Sequence, residues 1–279
     1  MHFLLLVMMF LISSHFLCAE LEDYTHIECS TKPCDRGFSK KKRRLMAVAP
    51  NEAPQATNEN WCGYVVATNF PSQGKYAVSS VSGSWIVPSM KPAPTDTYCS
   101  MWIGIDGYGG PTVQQMGTQH TLFQGQYVNY AWYEMFPAPA NQIVGFPVEV
   151  GDQITASVVY VFIGNVLPLT SDLFIMRITN DTKRMYSIIP IITQTNMDRS
   201  CAEWVVEAPW LNKTLPLSNF GTAFMFNCSA VINNVSGGIN NPAWAYEKVT
   251  MGTPEGVIKA IASGLSLDGK SFSVTWKNY

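Results

Sequence analysis

From Asn60 to the C-terminus the chain is a succession of short segments built from β-branched and aromatic residues and divided by turn formers. "VSGSWIVPS", "YCSMWIGIDG", "GQYVNYAWYEMF", "DQITASVVYVF", "DLFIMRITN", "MYSIIPIIT", "AEWVVEA", "FGTAFMFNCSAV" and "SFSVTWKNY" all suit a pleated, half-buried surface, and "EVGD", "TNDT" and "LDGK" carry turn chemistry between them. No stretch sustains the 3.6-residue period of a long amphipathic helix; "EGVIKAIASGL" has room for one or two helical turns. Many short strands and few helices over about 220 residues predict one all-β domain spanning 58–279, an antiparallel β-sandwich of two packed sheets, concanavalin- or jelly-roll-like. There is no internal repeat.

The residues ahead of that domain have a different character. "MHFLLLVMMFLISSHFLCA" reads as a signal peptide over 1–19, with cleavage after Ala19, although its first residues lack Lys and Arg and a retained anchor is the alternative. No later run is long enough to span a bilayer, so the mature chain is expected to be secreted. Residues 20–57 hold "KKKRR" (Lys40 to Arg44) and run into "APNEAPQATNEN", which ends at Asn60; the composition suits either a pro-segment of a zymogen or a solvated N-terminal arm. Six cysteines remain after the signal peptide (Cys29, Cys34, Cys62, Cys99, Cys201 and Cys228), and an even number in an exported chain predicts disulfides. Neither a metal nor a cofactor is expected: no C-x-x-C occurs, and the four histidines are scattered. A serine or cysteine hydrolase would have to use His26 or His120, and neither stands near a G-x-S-x-G nucleophile motif. With 14% charged residues and a net charge of −2, the chain is not a basic nucleic-acid binder.

Acids placed inside strands carry the functional signal. In "CAEWVVEAPW" the period of two puts Glu203, Val205 and Glu207 on one face and Trp204 and Val206 on the other. A charged side chain on a buried strand face needs a partner or a substrate. The same reading of "MWIGIDG" turns Met101, Ile103 and Ile105 to the core and Trp102, Gly104 and Asp106 away from it. Gln115 shares a face with Val113 and Gly117, and Tyr130, Trp132, Glu134 and Phe136 share another. Combined, these segments give a sheet face of Asp, Gln, Trp and Glu, the mixture a binding cleft needs. Trp102, Trp132 and Trp204 are equally suited to core packing, Trp204 most of all.

"WIGIDG", "VQQMG", "YAWYEMFP", "GDQITASV" and "AEWVVE", in that order between Asn60 and Val231, resemble the glutamic peptidases, or eqolisins. The resemblance implies a sandwich of two antiparallel sheets that hydrolyses peptide bonds in acid through a Gln–Glu dyad, without metal. Matched motif by motif, the catalytic glutamine falls on Gln115 and the catalytic glutamate on Glu207. Asp106, Trp132, Glu134, Trp102 and Glu203 fall on substrate-binding or supporting positions. Gln114 is one register away from Gln115 and would point to the opposite face. The sequence departs from the family where Gln119 and Tyr130 replace acids expected near the dyad, and where Phe136 replaces a tyrosine. Fewer neighbouring carboxylates would ease ionisation of Glu207 relative to those relatives.

The chemistry is coherent on residue types alone. An ionised Glu207 can take a proton from water as general base, which requires its pKa to stay low or modest, and the Gln115 amide can donate to a developing oxyanion. The expected partners are protein or peptide substrates, and the expected state is a monomer. The alternatives are a carbohydrate-active sandwich, either glycosidase or lectin-like, or an inactive relative. Glu203 and Glu207 lie about 13 Å apart along a strand, too far for a glycosidase pair, whereas Glu134 with Glu207 across strands remains open to that reading. Sequons occur at Asn180, Asn212, Asn227 and Asn234.

Overall fold

The structure is a computed structural model that describes residues 23–28, 30–33, 44–45, 55–162, 172–193 and 197–279. Residues 1–19, read above as a signal peptide, the basic run up to Arg43, and Cys29 and Cys34 lie outside the described residues. In chain order the strands begin with β1 Thr25–His26, β2 Ser30–Pro33, β3 Arg44–Leu45, β4 Gln55–Asn58, β5 Trp61–Ala67, β6 Val78–Ile86 and β7 Thr97–Asp106. They continue with β8 Val113–Phe123, β9 Gln126–Phe136, β10 Asn141–Val144, β11 Gln153–Phe162, β12 Asp172–Asn180 and β13 Met185–Thr193. The last are β14 Cys201–Glu207, β15 Thr222–Ile232, β16 Val235–Gly237, β17 Ala245–Gly252, β18 Ile258–Ala262 and β19 Phe272–Trp276. No helix occurs among the described residues, and the middle of "EGVIKAIASGL" forms β18: Ala260 and Ala262 pair with β19, so tertiary ladder bonds override a weak helical preference.

Hydrogen bonding runs β2–β10–β9–β8–β7–β14–β5–β17, with β4 and β3 beyond, and continues from β17 through β18, β19, β15, β6, β11, β12 and β13 to β1. All of these pairings are antiparallel except β1 with β13 and β4 with β17. The two halves of this mixed sheet fold onto each other as a sandwich. Between them lies the main core, to which β7 and β14 contribute Met101, Ile103, Ile105, Trp204 and Val206, and β6, β11 and β12 contribute Trp85, Ile154, Val158 and Phe174. Indole N–H groups cross the layers in both directions: Trp204 Nε1 donates to the Ser82 carbonyl at 2.7 Å and Trp85 Nε1 to Thr118 Oγ1 at 2.8 Å. Trp204 is thus a core residue, tied by the bond that a buried indole requires.

The outer face of the β9–β8–β7–β14–β5 half forms a second cluster with Trp61, Val65, Trp102, Val113, Trp132, Cys201 and Val205. The alternation read from the sequence therefore describes β7 and β14: apolar residues on one side, and on the other the acids among tryptophans. The expected disulfides are absent among the described residues, where Cys62, Cys99, Cys201 and Cys228 are free and buried. The pairing of strands explains this for Cys201. It stands opposite Ala67 in the second cluster, while Cys62, Cys99 and Cys228 belong to the core on the far side of the sheet. The free thiols are among the side chains that fill the sandwich as small hydrophobes.

Candidate active site

Strand register lines up the polar residues in two parallel rows. In one, Glu247 on β17 pairs with Val65, Val65 with Glu203, Glu203 with Gly104, Gly104 with Gln115, and Gln115 with Glu134. In the other, Trp61 pairs with Glu207, Glu207 with Ser100, Ser100 with Gln119, and Gln119 with Tyr130. Between them runs an apolar row of Gly63, Val205, Trp102, Gly117 and Trp132. Two glycines shape these rows. A Cβ on Gly117 would lie 2.2 Å from the Met101 carbonyl and 2.5 Å from Trp102 Cβ, so only glycine fits beside Trp102. A Cβ on Gly104 would lie 2.9 Å from Glu203 Oε1 and 3.2 Å from Gln115 Cβ; its absence lets those two side chains approach across β7.

Glu207 is held by three side-chain donors. Asn60 Nδ2 donates to Oε1 at 2.7 Å, Trp61 Nε1 to Oε1 at 3.1 Å, and Trp102 Nε1 to Oε2 at 2.8 Å. Hydrogen bonds to a charged group are worth roughly 1.5–3 kcal/mol each, and all three favour the carboxylate. Burial works against them and wins, pushing Glu207 up to about 8. The low or modest pKa expected from the sequence is thus reversed, because the site's enclosure is invisible in residue types. Trp102 also joins the two rows: its indole edge lies against Gly104, its N–H on Glu207, and its ring meets Trp61 edge-on at 4.8 Å.

Gln115 Nε2 donates to Glu134 Oε2 in a short hydrogen bond, and Gln115 Oε1 has no partner. Burial, and then the charge of Glu207, push Glu134 up to about 9. Glu134 is therefore coupled to Gln115 by contact and to Glu207 through the field, which brings the three residues into one site. Both carboxyls, Gln115 and Glu203 are at most 2% exposed. Two buried acids both pushed upward in a shared environment, where the charge of one opposes ionisation of the other, is the pattern of a functional site.

The remaining sequence-derived residues fall as follows. Glu203 sits in the Gln115 row, against the space that Gly104 leaves. Trp132 is buried opposite Gly117. Asp106 ends β7, and its carboxylate is turned to the backbone of Arg199 and Ser200. Gln119 accepts from Ser100 Oγ and donates to Thr121, beside Glu207 but not bonded to it. Gln114 lies on the core-facing side as expected, between Ile105 and Met135. Asn60 and Trp61 were not found from sequence, because their partner lies 147 and 146 residues away. Tyr108 and Glu247, joined at 2.9 Å, were missed for the same reason. Among the described residues no group of His, Cys, Asp and Glu has the arrangement of a metal site.

A protein-family model described as the peptidase A4 family matches residues 59–275. Among solved structures the fold is similar to scytalido-glutamic peptidase with a transition-state analogue inhibitor, at 18% identity and a TM-score of 0.61 over 78% of this chain and 98% of that one. It is also similar to SCP-B, a member of the eqolisin family in complex with the tripeptide Ala-Ile-His, at 17% identity and a TM-score of 0.56 over 78% and 98% of the two chains. Aspergilloglutamic peptidase from Aspergillus niger matches at 20% identity and a TM-score of 0.52, over 65% of this chain and 99% of that one. No curated protein sequence matches the chain.

Proposed function

The chain belongs to the peptidase A4 family and is a peptide hydrolase of the glutamic type; from that premise we propose that it is an exported, monomeric endopeptidase working through Gln115 and Glu207. The observation that carries this reading is the buried trio of Glu207 in its cradle of three N–H groups, Glu134, and Gln115 bonded to Glu134. In the reaction, ionised Glu207 takes a proton from water as the oxygen attacks the peptide carbonyl carbon. A glutamine amide nitrogen carries two hydrogens. One of those on Gln115 is committed to Glu134; the second serves the oxyanion, an effect worth roughly 3–4 kcal/mol for one donor elsewhere. When the tetrahedral intermediate collapses, the C–N bond breaks and Glu207 returns its proton to the leaving nitrogen. Burial and the charge of an ionised Glu207 both hold the proton on Glu134, so it orients Gln115 without adding a second negative charge.

The resemblance implies work in acid, and a general base must be ionised at the working pH. Loss of acids at Gln119 and Tyr130 eases that, but burial pushes Glu207 up to about 8 and is the larger effect. We therefore place the acidic limb of kcat/KM near that value, above the strongly acidic range. The export signal and the pro-segment remain part of the same proposal, resting on the sequence of residues 1–57. The test is hydrolysis of a denatured protein by the processed chain over a broad pH range, with and without a chelator. The reading requires cleavage that the chelator leaves untouched and whose kcat/KM rises toward pH 8. Absence of cleavage at every pH, or loss of it with chelator, would contradict the reading.

A further inference from the structure

Two of the three Glu207 donors, Asn60 and Trp61, stand where β4 gives way to β5. β4 lies on one side of β17 and β5 on the other, since Val249 pairs with both Ala56 and Gly63. Between Asn58, the last residue of β4, and Trp61, the first of β5, the chain crosses over through Glu59 and Asn60, which form a bend rather than a strand. A buried bend must still satisfy its N–H groups. Asn58 supplies the acceptor: its Oδ1 takes the Asn60 backbone N–H at 2.9 Å and the Trp61 backbone N–H at 3.0 Å. These are the local side-chain-to-backbone bonds that asparagine favours in turns. Asn58 is 6% exposed and Asn60 fully buried, so little water reaches that oxygen.

The residues held in this way are the ones that hold the base. Asn60 Nδ2 and Trp61 Nε1 both donate to Glu207 Oε1, at 2.7 and 3.1 Å. The Asn60 carbonyl accepts the N–H of Ala208, the residue after Glu207, at 2.9 Å. Trp61 stands opposite Glu207 in the β5–β14 ladder. The circuit is closed: from Asn58 Oδ1 through two backbone N–H groups to two side-chain donors, on to the carboxylate, and back through Ala208 to Asn60. The ladder and the Ala208 bond hold the carbonyl side of the bend, and Asn58 holds its N–H side. Aim within this circuit matters, because a displacement of about 1 Å at a reacting group costs on the order of 100-fold in rate.

We propose that Asn58 is a positioning residue of the reaction: its side-chain oxygen fixes the backbone N–H groups of Asn60 and Trp61, and through them the two donors that aim Oε1 of Glu207. It acts through those two residues and not on the substrate. The proposal rests on the reading of Glu207 as the base.

The test is Asn58→Ala, which removes the acceptor. Measured above the acidic limb and well below the unfolding temperature, kcat should fall about 10–100-fold with KM within about twofold. With two donors less well aimed at the carboxylate inside unchanged walls, the acidic limb itself should move up by about 0.5–1 pH unit. A kcat within about twofold of wild type would overturn the proposal, leaving Asn58 a stabilising role, and so would a rise in KM alone, which would mean substrate contact. Asn58→Ser carries its oxygen on a stem one atom shorter, enough for one of the two N–H groups. Its kcat should lie about two- to fivefold below wild type at constant KM. Serine equal to wild type, or as slow as alanine, overturns the proposal, and the comparison with wild type decides alone if the alanine variant does not fold. Fluorescence of Trp61 and Trp102, whose indoles bond Glu207, reads its protonation without turnover. The pH transition absent from Glu207→Gln reports Glu207, and its midpoint should shift upward in Asn58→Ala and, by less, in Asn58→Ser. An unshifted or lowered midpoint overturns the proposal even if wild type shows no turnover, an outcome that would by itself remove only the peptidase reading.

Discussion

Replacing Glu134 with glutamine removes a proton-binding group while keeping its shape and its acceptor for Gln115 Nε2. Burial and the charge of Glu207 raise the Glu134 carboxyl from 4.5 to about 9. Between those values the folded protein holds a proton that the unfolded chain has released, so folding stability declines as pH rises, by about 1.4 kcal/mol per pH unit for one such group. Over the two units from about pH 5 to 7 that amounts to on the order of 2.5 kcal/mol, or roughly 5–10 °C in Tm for a domain of this size. Glu207, raised from 4.5 to about 8, adds a similar slope over the same window. Thermal unfolding of wild type should therefore lose stability from pH 5 to 7, and Glu134→Gln should lose about half as much. The acidic limb of kcat/KM should stay in place, because burial and the developing charge of Glu207 keep the proton on Glu134. An unchanged stability slope, or a limb that falls by a pH unit or more, would mean that Glu134 is charged beside Glu207 and would refute the assignment of roles.

Gly117→Ala places a methyl group 2.2 Å from the Met101 carbonyl, and we expect a loss of about 3 kcal/mol or more, read from denaturant midpoints. Gln119→Asp restores a carboxylate across Ser100 from Glu207; like-charge repulsion should raise the Glu207 pKa and move the acidic limb of kcat/KM to higher pH, and a downward shift would contradict the repulsion argument. Because Cys62, Cys99, Cys201 and Cys228 are free, reductant should leave the Tm of the domain unchanged, as calorimetry with and without it would record.

The all-β class and the division of β7 and β14 into a core face and an acid face were legible because both follow from a period of two, which local sequence carries. Met101, Ile103 and Ile105 against Trp102 and Gly104 is that reading in the molecule, while Asp106, left-handed at the end of β7, departs from it and turns to the Arg199 and Ser200 backbone. Three things were not legible. β18 carries a helical composition, but ladder bonds to β17 and β19 decide its state. The cysteines were paired by their number, whereas Cys201 stands on the opposite side of a sheet from the others. The Glu207 cradle depends on Asn60 and Trp61, which are distant in the sequence and brought beside β14 only by strand pairing, and its burial depends on all the walls at once. Residue types name the acids; only the enclosure decides which of them holds its proton.

Glu207 as the base and Gln115 as the oxyanion donor are distinguished from their neighbours by kcat/KM of Glu207→Gln, Gln115→Ala and Glu203→Gln on one denatured protein substrate at a fixed pH near 8. Glu207→Gln and Gln115→Ala should each lower kcat/KM by about 100-fold or more with circular dichroism unchanged, while Glu203→Gln, like Gln114→Ala, falls less. Near-wild-type turnover by Glu207→Gln, or a larger loss from Glu203→Gln than from Glu207→Gln, would contradict these roles.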